Sequence, residues 1–273
     1  MSRVLFISSK PYYPWEGACH RTRHTLEALV SLGHDVDLLT VPVGDPPPVP
    51  GIRIRLTPRL PFCRQLPEGP SVRRFALDTL MLFKAVYLAG REHYAVIHGV
   101  EDCGVIACMA GRLTKTRVVF ERHTAISFDR VKGLRRFWSG LYGFLSRRAL
   151  KRADAAIGND ASIVTLLAAF GRRSRACVIP DIPAVTDEVT PPARNLAQVR
   201  YRPAPTQKLV TCVGSYTRFQ GLDLFINAIP YVLNAQPNTR FAVVGGAPSE
   251  IARLRSALSK AGIDHAVTFP GRI

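Results

Sequence analysis

"RVLFISSKPYYPWEGACHRTRHTLEALVSLGHDVDLLTV", residues 3–41, decides the fold. RVLFI (3–7) and DVDLLTV (35–41) are apolar runs of strand length, and between them Leu26, Leu29 and Val30 recur at helical spacing. Gly33 follows as a left-handed cap that stops the helix. Strand, helix and strand in this order make a parallel βαβ unit. The loop between the first strand and the helix holds two prolines and Gly17, and opens onto His20, Arg21, Arg23 and His24. Helix starts favour acids, because the peptide dipole already makes that end positive. Four basic or near-basic side chains there call for a negative ligand, or a facing acidic surface, to offset them.

The same alternation continues along the chain. IRIRL (52–56), YAVIH (94–98), RVVFE (117–121), DAAIG (154–158) and ACVIP (176–180) read as strands, and most are separated by helical patterns such as 72–88. This is a mostly parallel sheet with helices on both faces. Residues 183–207 contain five prolines and little apolar periodicity, which marks a linker. A second α/β pattern follows: KLVTCVG, LDLFINAIPYVLNA, RFAVVGG, a Ser249-capped helix and AVTFPG. The expected organisation is an N-terminal Rossmann-like domain over 1–182, a linker over 183–207, and the first half of a second Rossmann-like domain over 208–273.

At 273 residues, 47% hydrophobic and 21% charged, the chain can bury a large core. It carries no run of eighteen apolar residues: FALDTLMLFKAVYLAG is interrupted by Asp78 and Lys84, and MSRVLFISSK is too short for a signal sequence. The expected location is cytoplasmic. Six cysteines, at 19, 63, 103, 108, 177 and 212, form no C-x-x-C pair and suit reduced, buried thiols. The net charge of +17 rests on seven lysines and 30 arginines. No helix-turn-helix, zinc-finger spacing or aromatic RNP-like strand accompanies it, so nucleic acid is not the expected partner.

Residues 130–152, RVKGLRRFWSGLYGFLSRRALKR, hold eight basic residues and no acid. Leu134, Trp138, Leu141 and Leu145 recur there at helical spacing. Two readings are open: a core-packing helix with a solvated basic face, or an amphipathic helix lying on an anionic membrane at the inner face.

Parallel sheets bind ligands outside the carboxyl ends of their strands. Those ends carry Gly17 after the first strand, His98 with Glu101 and Asp102 at the fourth, and Glu121, Arg122 and His123 at the fifth. His20 and His24 do not suit a metal, because Arg21 stands where the zincin pattern has glutamate. A phosphate at the helix start, held by backbone N–H groups and Arg21 with Gly17 allowing close approach, suits the residues better.

In this order the landmarks resemble the family 4 glycosyltransferases: the Trp15-Glu16-Gly17 loop, "LVSLGHDVDLLTV", "YAVIHGVED", "VVFERHT", "ALKRADAAIGND", "VIPDIP" and "CVGSYTRFQGLDLFINAIPYV…RFAVVGG…VTFPG". The resemblance implies the GT-B architecture, two Rossmann-like domains facing across a cleft. It further implies transfer of a sugar from a nucleotide donor to an acceptor hydroxyl with retention, in envelope polysaccharide or glycolipid synthesis, with no cofactor or metal.

Carried over by position, His123 would be the catalytic contact to the transferred sugar, and His98, Arg122 and Glu101 would contact sugar or acceptor. Gly17, Arg21, Ser215, Arg218, Gln220, Gly245 and Gly246 would serve the donor phosphates. Ser215 and Gln220 depart from the family's arginine and lysine, leaving Arg218 as the cation of GSYTRFQG. The family's two-glutamate motif would lie past Ile273, so the expectation is an enzymatic lineage with a polypeptide inactive by itself. The alternative is a non-catalytic sugar-nucleotide or phosphate binding module.

Overall fold

Leu5 and Ile7 project to one side of the first strand and Phe6 to the other, and all three are fully buried. A strand buried on both faces belongs in the middle of a helix-covered parallel sheet. The computed structural model describes residues 1–10, 17–44, 47, 49–59, 71–123, 134–170, 175–181, 204, 206–216 and 220–271. They divide into two units, Met1–Ala184 and Val185–Ile273.

The first unit runs β1 (Arg3–Ile7), α1 (Gly17–Ser31), β2 (Asp35–Thr40), β3 (Ile52–Leu56), α2 (Val72–Glu92), β4 (Val96–Val100), α3 (Cys103–Thr114), β5 (Arg117–Arg122), α4 (Leu134–Leu150), β6 (Ala155–Gly158), α5 (Ala161–Phe170) and β7 (Ala176–Val178). Its seven strands are parallel in the order β3-β2-β1-β4-β5-β6-β7. Strand order therefore reverses between β1 and β4, which opens a crevice at their carboxyl ends. One core, with Leu5, Ile7, Met81, Ile97, Ile106 and Phe120, joins the sheet to α2 and α3. A smaller one, with Phe6, Leu26, Val36 and Leu38, seats α1 on the opposite face. After α1 the N–H groups of Gly33 and His34 donate to the carbonyls of Val30 and Leu29, with Gly33 at φ 79°, the left-handed stop expected.

At the amino edge of this sheet Asp37, fully buried, accepts hydrogen bonds from Arg3 at 3.1 Å, Arg53 at 2.5 Å and the Tyr94 hydroxyl. Burial alone would raise its carboxyl; the Tyr94 and Arg53 bonds reverse that and hold it below the usual aspartate range. The arginines of IRIRL thus seal the edge strand.

The second unit holds β8 (Lys208–Val213), α6 (Leu222–Ala235), β9 (Thr239–Val244), α7 (Pro248–Lys260) and β10 (Val267–Gly271), a parallel sheet in the order β10-β9-β8. Its last long helix starts at Pro248, not at a Ser249 cap. Pro248 needs no N–H there, and the Glu250 carboxylate accepts the Ala247 N–H at 2.7 Å. The expected linker, apart from residues 204, 206 and 207, lies outside the described residues.

Two other expectations change, at β4 and at Cys177. β4 continues to Val100, so His98 sits inside the strand. Gly99 reads as a strand end in sequence, but a Cβ there would lie 2.4 Å from the Cys103 carbonyl oxygen, so α3 demands the glycine while the strand runs on. Of the two readings open for α4, packing on the core holds at Leu145, beside Ala149 and Leu150, whereas Phe137 and Phe144 are exposed and the Arg148 guanidinium lies 5.9 Å from the Phe144 ring centroid. The side chains of Leu134 and Trp138 lie outside the described residues. Cys19, Cys103 and Cys108 are buried thiols as expected, but Cys177 is exposed on the edge strand β7.

Gly99→Ala is expected to destabilise the protein by about 1–3 kcal/mol through overpacking. Gly17→Ala, whose added Cβ meets nothing within 4 Å, is expected to change stability by less than about 0.5 kcal/mol. Urea unfolding midpoints compare the two.

Candidate functional site

Three elements bring charged groups together at the carboxyl edge of the first sheet. Arg21 reaches from the second turn of α1, His98 projects from β4, and Glu121 sits near the end of β5 with His123 just beyond it. Glu121 is 2% exposed and is the hub. Its Oε1 accepts Arg21 Nε at 2.7 Å and His123 Nε2 at 2.9 Å, and its Oε2 accepts His98 Nε2 at 2.7 Å. The opposite end of Arg21 donates to Asp181, just after β7, at 2.8 Å. His98 also lies against the Phe6 ring, with centroids 4.6 Å apart.

Burial is the largest influence on Glu121 and would raise its carboxyl. The hydrogen bonds and charges of His123 and His98 outweigh it and hold the group far below the usual glutamate range. Arg21 is held above the ordinary arginine value: burial works against its charge, and Glu121 and Asp181 more than offset that. Arg21 Nε also donates to His123 Nε2 at 2.9 Å, so Arg21, His123 and Glu121 Oε1 form one closed triangle of contacts that holds the imidazole in place. The His123 backbone N–H donates to Glu101 Oε1 at 3.0 Å, and Glu101 is itself at φ 54°, its N–H bonded to the Glu121 carbonyl. A non-glycine residue in the left-handed region, anchored to both ends of the His123 segment, fixes where that ring sits.

The basic residues of α1 are therefore offset by acids of the fold. Arg21 is paired with Glu121 and Asp181, Arg23 bonds Glu27 at 2.7 Å, and His24 Nδ1 lies 3.2 Å from the same carboxylate. A facing acidic surface, Glu121 and Asp181, thus offsets Arg21, while Glu27 of the same helix serves Arg23 and His24. Gly17 is the exposed first residue of α1, and Arg122, next to Glu121, is buried.

A second buried network lies where strand order reverses. Arg74 of α2 donates to Ser9 Oγ, after β1, at 2.5 Å and to Asp78 at 3.0 Å, and approaches Asp102, after β4, to 3.7 Å. The Tyr142 hydroxyl of α4 donates to the other oxygen of Asp78. Burial raises Asp78 despite Arg74 and Tyr142, and burial pushes the adjoining Cys103 thiol up to about 12, which leaves no thiolate there. Neither Arg74 nor Asp78 stood out in sequence as a site residue. The available signal was an arginine on the same stripe of α2 as Leu77, Met81, Ala85 and Leu88.

Beside α1, on the carboxyl side of β1, β2 and β3, lies a cavity of about 430 Å³. Leu38, Val41, Pro42, Val43, Ile54 and Leu56 supply an apolar wall, with Lys10 and Arg59 as its cations.

In the second unit Ser215 and Gln220 follow β8, and Gly245 and Gly246 follow β9. Gly246, at φ 73°, lies under the Tyr216 ring, where a Cβ would come within 2.4 Å; Tyr216 donates its hydroxyl to the Val243 carbonyl at 2.9 Å. Gly245, at φ 114°, faces the Gly214 carbonyl as closely. These glycines bring the carboxyl ends of β8 and β9 together. Arg218 lies outside the described residues.

The sequence model of Glycosyltransferase Family 4 matches residues 15–181, and that of Glycosyl transferases group 1 matches residues 207–273. The chain is 24% identical to a phosphatidylinositol N-acetylglucosaminyltransferase subunit from Arabidopsis thaliana, covering 99% of this chain and 58% of that protein. It is 29% identical, over 46% of its length, to 34% of a GDP-mannose-dependent phosphatidylinositol monomannoside mannosyltransferase of Mycolicibacterium smegmatis. The chain thus spans little more than half of the plant relative. Among solved structures, Anabaena HepE in complex with UDP-glucose superposes with a TM-score of 0.70 at 14% identity, over 100% of this chain and 70% of that one. WaaG, a glycosyltransferase involved in lipopolysaccharide biosynthesis, gives 0.65 at 16%, over 99% and 70%.

Because the folded state holds Glu121 below the ordinary glutamate value of about 4.3, its stabilisation is present above that pH and lost as pH falls through and below it. Glu121→Gln is expected to cost about 3 kcal/mol near neutrality. The gap to the unsubstituted protein should begin to narrow as pH falls below about 4 and go on narrowing with further acidification, read from urea midpoints across pH.

Proposed function

The chain belongs to Glycosyltransferase Family 4 and has the GT-B fold, and from that premise we propose that it works as a retaining glycosyltransferase on a nucleotide-sugar donor. The observation that carries the reading is the convergence of Arg21, His98 and His123 on ionised Glu121 at the carboxyl edge, beside the crevice where strand order reverses. A relative that depends on GDP-mannose and a solved neighbour in complex with UDP-glucose support a sugar nucleotide as donor.

In the proposed reaction an acceptor hydroxyl attacks the anomeric carbon from the face that the nucleoside diphosphate leaves, and the configuration is kept. Negative charge builds on the departing phosphate, so fixed donors aimed there lower the barrier most. In this proposal that role falls to Ser215, Gln220 and Arg218 with the Gly245–Gly246 turn in the second unit. Arg21 acts by holding Glu121, and Glu121 orients His123 so that its outer ring edge meets the transferred sugar. Glu101, His98 and Arg122 shape the sugar and acceptor side. Gln220 is neutral where the family carries a cation, so the leaving group draws on Arg218 and neutral donors.

The cavity beside α1 supports a lipid-linked or envelope glycan acceptor: its apolar wall suits hydrocarbon, and Lys10 and Arg59 suit a phosphate. Among the described residues no helix is long and apolar enough to cross a membrane. Contact with an anionic bilayer would come from the outer face of α4, with Phe137, Phe144, Arg147 and Arg148.

The complete reading frame that contains these 273 residues is to be incubated with UDP-glucose, UDP-N-acetylglucosamine or GDP-mannose and a phospholipid acceptor. Acceptor-dependent release of the nucleoside diphosphate is expected, with an α-linked product by NMR. His123→Ala should lower kcat about a hundredfold with an unchanged circular dichroism spectrum, and Tm should fall because buried Glu121 loses a partner. Donor binding without turnover would favour the non-catalytic module, and full activity of the variant would remove His123 from the reaction.

A further inference from the structure

The amino edge of the first sheet, at the opposite end of β5 from His123, carries a second open cavity, of about 600 Å³. Five steps along β5 separate the two edges, roughly 17 Å at a strand's rise. Arg112 and Lys115 come from the end of α3, Arg117 from the start of β5, Lys151 and Arg152 from the end of α4, and Arg175 from the start of β7. Six cationic side chains thus surround one carboxylate, Asp154. Asp154 is already engaged: one oxygen accepts the Val118 N–H at 2.9 Å and the other lies 3.5 Å from Arg175. Among the described residues, Arg112, Lys115, Arg117, Lys151 and Arg152 have no side-chain hydrogen bond or ion pair.

Helix dipoles account for part of this. Cations in the last turns of α3 and α4 complement the negative end of each helix, which covers Arg112, Lys115 and Lys151. Arg117 and Arg175 sit at strand starts, where no such dipole acts, yet they line the same concavity. The floor is built to be close and uncharged. Gly111 lets α3 approach β5, since a Cβ there would lie 2.3 Å from Val118, and Cys108 donates its thiol to the Ala149 carbonyl at 3.3 Å. Like charges gathered in one hollow repel one another unless an anion sits among them.

We propose that this cavity is a second anion site, separate from the sugar-transfer edge, that takes a ligand with two or more phosphate groups. Its volume falls in the usual range for small-molecule sites, and its cations approach from three sides, as an oligophosphate or a phosphorylated lipid headgroup requires. No step of donor chemistry enters the inference, so it stands or falls apart from the transferase reading.

The test uses the full chain, inorganic tripolyphosphate as probe in calorimetry, and sedimentation with vesicles of phosphatidylcholine containing cardiolipin, whose headgroup carries two phosphates. Lys115→Gln/Lys151→Gln/Arg152→Gln, all exposed positions, is compared with a charge-matched control at exposed sites elsewhere, Arg73→Gln/Arg253→Gln/Lys260→Gln. The expected result is a loss of tripolyphosphate affinity of at least about tenfold in the first variant only, with Tm unchanged in both. If vesicle binding falls with it, the source of the phosphates is a lipid headgroup; if vesicle binding stays, the source is a soluble oligophosphate. Either result supports the site. Absence of tripolyphosphate binding, or equal loss in the control, overturns it.

Discussion

A buried carboxylate must find donors or give up its charge, and the carboxyl edge of the first unit is organised by the way Glu121 finds them. Three donors from three elements close on its two oxygens. Removing a charge-paired carboxylate from water costs several kcal/mol, and only this complete set of partners offsets it. The consequence reaches each partner in turn. Arg21 is drawn across the face of the sheet and clamps α1, His98 is fixed against Phe6, and His123 is held against both Arg21 and Glu121. Glu101, strained at its own backbone, secures the same segment from the next loop. The energetic logic is that of a preorganised site, in which the fold has arranged the dipoles before any substrate arrives.

The unit's charges are sorted by sheet edge. Around Glu121 at the carboxyl edge, cations are matched by acids, and what is left is geometry: an oriented imidazole, a crevice where strand order reverses, and a helix start with a bare glycine. At the amino edge the charges divide. Around Asp37 the arginines of β1 and β3 are balanced by Asp35, Asp37 and Glu92, which closes the sheet. Around Asp154 they are not balanced, and the excess positive charge of the chain is partly concentrated there. A net charge spread evenly over a surface confers solubility; the same charge gathered in a hollow is a recognition feature.

Much of the architecture was legible in the residues. RVLFI and IRIRL occupy their strands to the residue, and LDLFINAIPYVLNA is the helix its periodicity describes. These succeed because hydrophobic period and local capping are short-range properties. The errors have a common cause. Gly99 looked like a strand end because its packing partner, the Cys103 carbonyl, belongs to a helix not yet placed. Ser249 looked like a cap because serine usually is one, but Pro248 and Glu250 together took over that position. In α4 the leucine seam was visible while its direction was not, since a helix wheel shows an apolar stripe without saying whether sheet or solvent lies beneath it.

By itself, then, the sequence determined the order of strands and helices, the parallel sheet that such alternation compels, and the landmarks of the family. It also placed two histidines and a glycine near strand ends. Only the tertiary structure decided where the charges go. Arg21 meets Glu121 across 100 residues of chain and Asp181 across 160, and no local pattern encodes a pairing at that separation. Periodicity is set by neighbours a few residues apart, whereas the partner of a buried charge is set by whichever donors the packed sheet brings within about 3 Å.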